Sequence, residues 1–265
     1  MLRKVLKYDM KNISSMFSIT YGFFLIFSFM SLIINKISLY TNAVLIHALS
    51  NFFFSIYIFT IVGLFLGCFA FIIIDFYKSF LTDRGFLTFT LPVKLSTLIV
   101  SKLINAVIWQ VITLFVFFLG LLIRFGLQPL LNIIDFLPTL FDVVEFYGYS
   151  DFVIAFAILF GIIIVFSLIT NPLSFFACMA IGQCFSKQKI LASIASYVVL
   201  YFFSQIVSVT GIFLFGITAT STQTLLLQSA NAILYYLIFI CTIQFILCSL
   251  YYCATFFSFK KGLNL

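Results

Sequence analysis

The sequence predicts an all-α integral membrane protein with six transmembrane helices, and three observations carry that prediction. Hydrophobic residues make up 64% of the 265 residues, charged residues only 8%, and the mean hydropathy is +1.28. A soluble domain carries about 25% charged residues, so this chain has too little polar surface to face water. Apolar runs long enough to cross about 30 Å of hydrocarbon recur six times, and the charges fall almost entirely between them. No stretch has the composition of a soluble domain, and no internal repeat is evident, so residues 1–265 read as one transmembrane domain.

Residues 1–14 predict a short amphipathic helix lying in the membrane interface. Leu2, Val5, Leu6, Met10 and Ile13 recur at helical spacing opposite Lys4, Lys7 and Lys11, while Asp9 falls on the apolar side and breaks the pattern. A signal peptide is the competing reading. The apolar run that follows is too long for one, and no small-x-small cleavage site succeeds it. Span 1 covers residues 17–34, and a polar connector from Asn35 to Asn51 leads to span 2 at 52–74. Span 3 covers 103–123. The connector from Arg124 to Asp151 carries Asp135, Asp142 and Glu145.

Span 4 covers 152–185, longer than a bilayer requires, with Asn171-Pro172 in its second half predicting a kink or break. Lys187 and Lys189 mark a tight turn into span 5 at 190–216. A Thr/Ser/Gln-rich connector, Thr218 to Asn231, precedes span 6 at 232–257.

Charge counting orients the chain. With the N-terminus in the cytoplasm, the inside segments hold Arg3, Lys4, Lys7, Lys11, Lys78, Arg84, Lys94, Lys102, Lys187, Lys189, Lys260 and Lys261, leaving only Lys36 and Arg124 outside. That asymmetry follows the positive-inside rule with both termini cytoplasmic. It accounts for the net charge of +7 without a nucleic-acid partner.

Absences narrow the function. The charged residues, Asp75 and Arg124 included, read as span-end groups with none mid-span, which argues against a proton-driven carrier. There is no phosphate-cradling Gly-x-x-x-x-Gly-Lys-Ser/Thr loop, no catalytic carboxylate pair and no Ser/His/Asp or Cys/His set. The single His47 leaves nothing for a metal site, and the six cysteines all lie in apolar runs and read as small buried thiols. Asn105, Gln110, Asn171, Gln183, Gln205 and Gln244 are uncharged polar residues within spans. Each suits an inter-helix hydrogen bond, and together they would also suit a polar path.

The stretch from Asp75 to Lys94 is the most informative connector. Phe76, Tyr77, Phe80 and Leu81 share one helical face and extend span 2 beyond the bilayer. Gly85 permits a turn, Pro92 blocks helix continuation, and Leu95, Leu98, Ile99 and Leu103 restart a helix into span 3. Such a segment either tucks against the protein's own spans or serves as a docking surface for a cytoplasmic partner.

Within it, Arg84-Gly-Phe-Leu-Thr-Phe-Thr-Leu-Pro-Val-Lys94, then Leu98-Ile-Val-Ser-Lys-Leu-Ile104 and Val107-Ile-Trp109, resembles the permease subunits of ABC-2 type transporters from Gram-positive bacteria. The closing Lys260-Lys-Gly-Leu-Asn-Leu265 is similar to their tail. The resemblance implies a coupling helix between spans 2 and 3, mapping here to Thr82, Asp83, Arg84, Gly85, Phe86, Leu87, Thr88, Phe89, Thr90, Leu91 and Pro92. It also implies a cytoplasmic ATP-binding subunit that holds the ATP and Mg, so that this chain binds no cofactor itself. A second permease subunit, identical or not, would complete the path. Arg84 departs from the acidic residue expected there, which puts the matching contact on the ATPase in doubt. The connector between spans 5 and 6 would dip shallowly into the membrane.

The resulting expectation is a multi-pass subunit of the bacterial plasma membrane that exports a hydrophobic or amphipathic compound (peptide, drug or lipid-like) and is not itself an enzyme. The alternatives are a membrane sensor or immunity protein that binds a peptide or lipid without moving it, and an ATP-independent channel or carrier.

Overall fold

The structure, a computed structural model, describes residues 2–41, 43–82, 94–129, 131–132, 135–136, 138, 150–185, 188–221 and 226–262. The main helices are α1 (Leu2–Tyr40), α2 (Val44–Phe80), α3 (Leu95–Phe125), α4 (Ser150–Gln183), α5 (Lys189–Ser221) and α6 (Leu226–Gly262). All six are long and apolar enough to cross a membrane, as expected of a multi-pass membrane protein. Residues Met1–Leu137 and Pro138–Leu265 form two compact units, each built on three of these helices.

The first unit is organised around α1, which packs on both α2 and α3. Its helix is unbroken across 39 residues, roughly 58 Å at 1.5 Å per residue. The expected interfacial helix at 1–14 is therefore not a separate element. No Gly or Pro interrupts Ser14-Ser15-Met16, and the Ser14 and Ser18 hydroxyls bond back to carbonyls of their own helix. Of the residues behind the expected stripe, Ile13 is buried and Leu6 and Met10 are half-buried, while Lys7 and Lys11 are exposed.

The α1–α3 contact is parallel. Phe17 stacks on Trp109 with ring centroids 4.3 Å apart and planes 3° apart. One turn on, Tyr21 shares a 2.8 Å hydrogen bond with Thr113, and beyond that Phe24 and Ser28 close on Gly120. A Cβ at Gly120 would fall on the Phe24 ring, so only glycine allows this approach. The α1–α2 contact is antiparallel, with Phe17 set edge-on to Phe71 and Phe24 stacked on Tyr57. Phe24, Tyr57, Leu64 and Val116 form a buried cluster joining all three helices. α3 ends at Gly126, whose φ of +77° lies in the left-handed region where glycine costs least and whose N–H bonds the Leu122 carbonyl.

In the second unit α4 packs on both α5 and α6. The α4–α5 contact is antiparallel, marked by the Phe175–Tyr197 stack and the bond from Ser196 Oγ to the Cys178 carbonyl. The α4–α6 contact is parallel, marked in order by Leu159 against Cys241, Thr170 against Gln244 and Cys184 against Ser258. α4 continues as helix through Pro172, so of the expected kink or break the break is absent. Pro172, Leu173, Phe176 and Ala177 are buried, and packing on the neighbouring helices holds a turn that has lost one backbone donor.

Three further expectations are corrected. The connector from Asn35 to Asn51 is mostly helix, because α1 runs to Tyr40 and α2 starts at Val44. The connector from Thr218 to Asn231 is helical at both ends, with residues 222–225 outside the described set. Of the cysteines, only Cys68 and Cys178 are buried. Cys241 and Cys248 are half-buried, and Cys184 and Cys253 are exposed.

The Phe17–Trp109 stack gives a direct test of the first unit. Phe17→Ala removes a fully buried ring and is expected to cost about 3–5 kcal/mol. The measurement is thermal unfolding of the detergent-solubilised protein followed by the fluorescence of Trp109, the chain's single tryptophan.

Candidate functional site

Two polar features stand out in these apolar bundles, one in each unit. The first joins Asp9, Asp75 and Lys102. Lys102 Nζ lies 2.7 Å from Asp9 Oδ1 and 2.8 Å from Asp75 Oδ2, and the Lys102 and Asp75 side chains are only 6% and 5% exposed. One ammonium therefore ties α1, α2 and α3 together. Asp75 and Lys102 are thus not solvated span-end charges, and Asp9 is no flaw in the amphipathic stripe. The second oxygens of both carboxylates, Asp9 Oδ2 and Asp75 Oδ1, are buried and have no hydrogen-bond partner among the described residues. Arg124, at the other end of α3, makes no ion pair among the described residues and sits over the Phe54 and Phe125 rings at 5.3 Å each.

The second feature is a cleft of about 280 Å³ among α4, α5 and α6. α4 contributes Thr170, Asn171 and Ser174. α5 contributes Tyr197, Leu200, Tyr201, Ser204, Gln205 and Ser208, and α6 contributes Gln244, Leu247 and Tyr251. Helical spacing explains the convergence: Tyr197, Tyr201, Ser204, Gln205 and Ser208 recur every three or four residues and occupy one face of α5. None of the twelve lining residues carries a formal charge.

Hydrogen bonding sets what this cleft offers. Ser174, Ser204 and Ser208 donate to the carbonyls of Asn171, Tyr201 and Ser204 on their own helices, which leaves their oxygen lone pairs as acceptors. The single Thr170 hydroxyl proton is shared between the Phe166 carbonyl at 2.8 Å and Gln244 Oε1 at 3.1 Å, which links α4 to α6. The Asn171 and Gln205 side chains make no hydrogen bond among the described residues and are exposed, so each presents both donors and an acceptor. The arrangement recognises uncharged polar groups. It has no nucleophile–base pair, and no group of His, Cys, Asp and Glu suited to a metal occurs among the described residues.

Of the six span amides singled out from sequence, the structure brings Asn171, Gln205 and Gln244 to this one cleft. Asn105 and Gln110 are buried in the first unit, and Gln183 ends α4. Sequence reasoning missed Asp9 with its partners and the hydroxyl and tyrosine members of the cleft; the periodic polar face of span 5 was the signal for the latter. In the stretch from Thr82 to Pro92, Thr82 follows α2 and its hydroxyl bonds the Lys78 carbonyl at 2.6 Å. Asp83 to Pro92 lie outside the described residues. No family model matches the chain, and no curated protein or solved structure is detectably similar to it.

Two outcomes follow. Lys102→Met leaves two buried carboxylates unpaired and is expected to cost about 3–5 kcal/mol, read as a lowered unfolding temperature. The triple variant D9N/D75N/K102M recovers most of that loss. Thr170→Val strips the Gln244 amide of its partner and is expected to cost about 0.6–1.7 kcal/mol in the same assay.

Proposed function

We propose that this chain is the membrane-spanning permease subunit of an ATP-driven ABC exporter of the ABC-2 type, moving a hydrophobic or amphipathic compound out of the cell. The observation that carries the reading is the uncharged polar cleft of α4, α5 and α6. A path for an amphipathic compound needs hydrogen-bonding groups at membrane depth, and it needs no titrating group when the energy comes from elsewhere. The resemblance over residues 84–109, which run from the connector after α2 into the first half of α3, supports the same reading.

On this reading the chain is no enzyme. ATP and Mg belong to a cytoplasmic ATP-binding subunit, a second permease subunit completes the assembly, and both termini face the cytoplasm of a bacterial cell. The segment from Thr82 to Pro92 is the ATPase-coupling element. Nucleotide-driven closure of the ATPases displaces it, and α2 and α3, which flank it, carry the displacement to α1 through Asp75, Lys102 and Asp9. The export cycle is then two-state gating driven from a remote site.

The decisive measurement is co-purification of this chain with an ATP-binding subunit whose hydrolysis depends on it. A chain that binds its ligand but neither recruits nor stimulates an ATPase is a sensor or immunity protein instead. Charge reversal at Asp83 or Arg84, or a disrupting substitution of Gly85, is expected to abolish export while leaving the protein inserted. Full transport by such a variant with normal ATPase association would sink the coupling assignment.

A further inference from the structure

The cleft's chemistry narrows the compound it accepts. Its polar groups are amides and hydroxyls of both hydrogen-bonding senses: exposed Asn171 and Gln205 supply free donors and acceptors, while Ser174 and Ser208 supply acceptor lone pairs. No charged residue lines it, so an ammonium, phosphate or carboxylate entering it would leave its hydration without gaining a counter-ion, a heavy penalty in a low-dielectric site. Its volume, about 280 Å³, lies just below the range for ligand pockets, about 300–1,000 Å³. A headgroup fits; a folded peptide or a whole drug-sized molecule does not. Asn171, Tyr201 and Gln205 are exposed at its edge, so the remainder of a bound molecule stays outside, against apolar helix surface.

We propose that the cleft is a headgroup site for an amphiphile whose polar end is uncharged and hydroxyl-rich, with its apolar tail held in the lipid. Tyr197, stacked on Phe175 at 5.1 Å and with the Tyr201 ring 6.4 Å away, gives the cleft an aromatic side that suits the C–H groups of a sugar ring. This identification rests on the cleft being the substrate's site in the permease reading, and it is testable without ATP.

The test uses the full chain in nanodiscs and three labelled amphiphiles of equal chain length: octyl β-glucoside, octyltrimethylammonium and octyl phosphate. Saturable binding of the glucoside, at least tenfold tighter than of either ion, is the expected result. N171L/Q205L, which alters exposed positions and spares the Thr170–Gln244 contact, is expected to weaken glucoside binding at least tenfold. Ser249→Ala, outside the cleft, is expected to leave it unchanged. Absence of saturable glucoside binding, equal or tighter binding of an ion, or retention of glucoside binding in N171L/Q205L would each overturn the assignment. ATPase stimulation scored on the same preparations reports on the permease reading separately, so the two ideas fail independently.

Discussion

A single lysine in the first unit meets two carboxylates from two other helices, and the register of that unit depends on it. Lys102 lies within hydrogen-bonding distance of both Asp9 and Asp75. A buried ammonium that loses either partner leaves charge stranded in an apolar surrounding, and that cost forbids small slips of one helix past another. The aromatic contacts further along, Phe17 on Trp109 and Phe24 on Tyr57, are by contrast tolerant of sliding. Apolar packing holds the three helices together; the ion triad decides where along their length they stop. Buried charge is poor at adding stability and good at fixing register, and this unit uses it at the end where α2 leads toward α3.

The second unit solves a different problem. Its helices are almost wholly apolar outside, yet they place hydroxyls and amides around an indentation. Hydroxyls satisfied by their own helix backbone cost little in an apolar medium, because their one proton is already committed. An amide cannot be satisfied that way. Gln244 is held by Thr170, whereas Asn171 and Gln205 are not held by any described residue. The unit thus keeps part of its polar lining neutralised and part of it in reserve, an arrangement that suits recognition better than bundle stability.

All six helices were legible in the sequence because each presents a span-length apolar run. Their ends were not. His47, Ser50 and Asn51 made residues 44–51 look like a connector, yet these residues are the first turns of α2, since a helix beyond the hydrocarbon needs no apolarity to persist. Asp9 was visible as an irregularity in an amphipathic stripe, but nothing local announces that an irregularity is a partner; that takes the three-dimensional meeting of positions 9, 75 and 102. The cleft shows the same limit. Asn171, Gln205 and Gln244 each looked like ordinary inter-helix glue when taken singly, and only the packing of α4 on α5 and α6 puts them in one place. At Pro172 the sequence left a kink or a break open, and the helix is kept through that turn, which is buried against its neighbours.

The unbroken course of α1 has a mechanical consequence. A helix of 39 residues without a hinge behaves as a lever, and over roughly 58 Å each degree of tilt at one end sweeps the other by about 1 Å. Asp9, near one end, is clamped to the two helices that flank residues 83–93, and Tyr40 lies at the far end. Any rocking at that clamp would therefore be carried along α1 to its far end, past the close approach of Phe24 to Gly120.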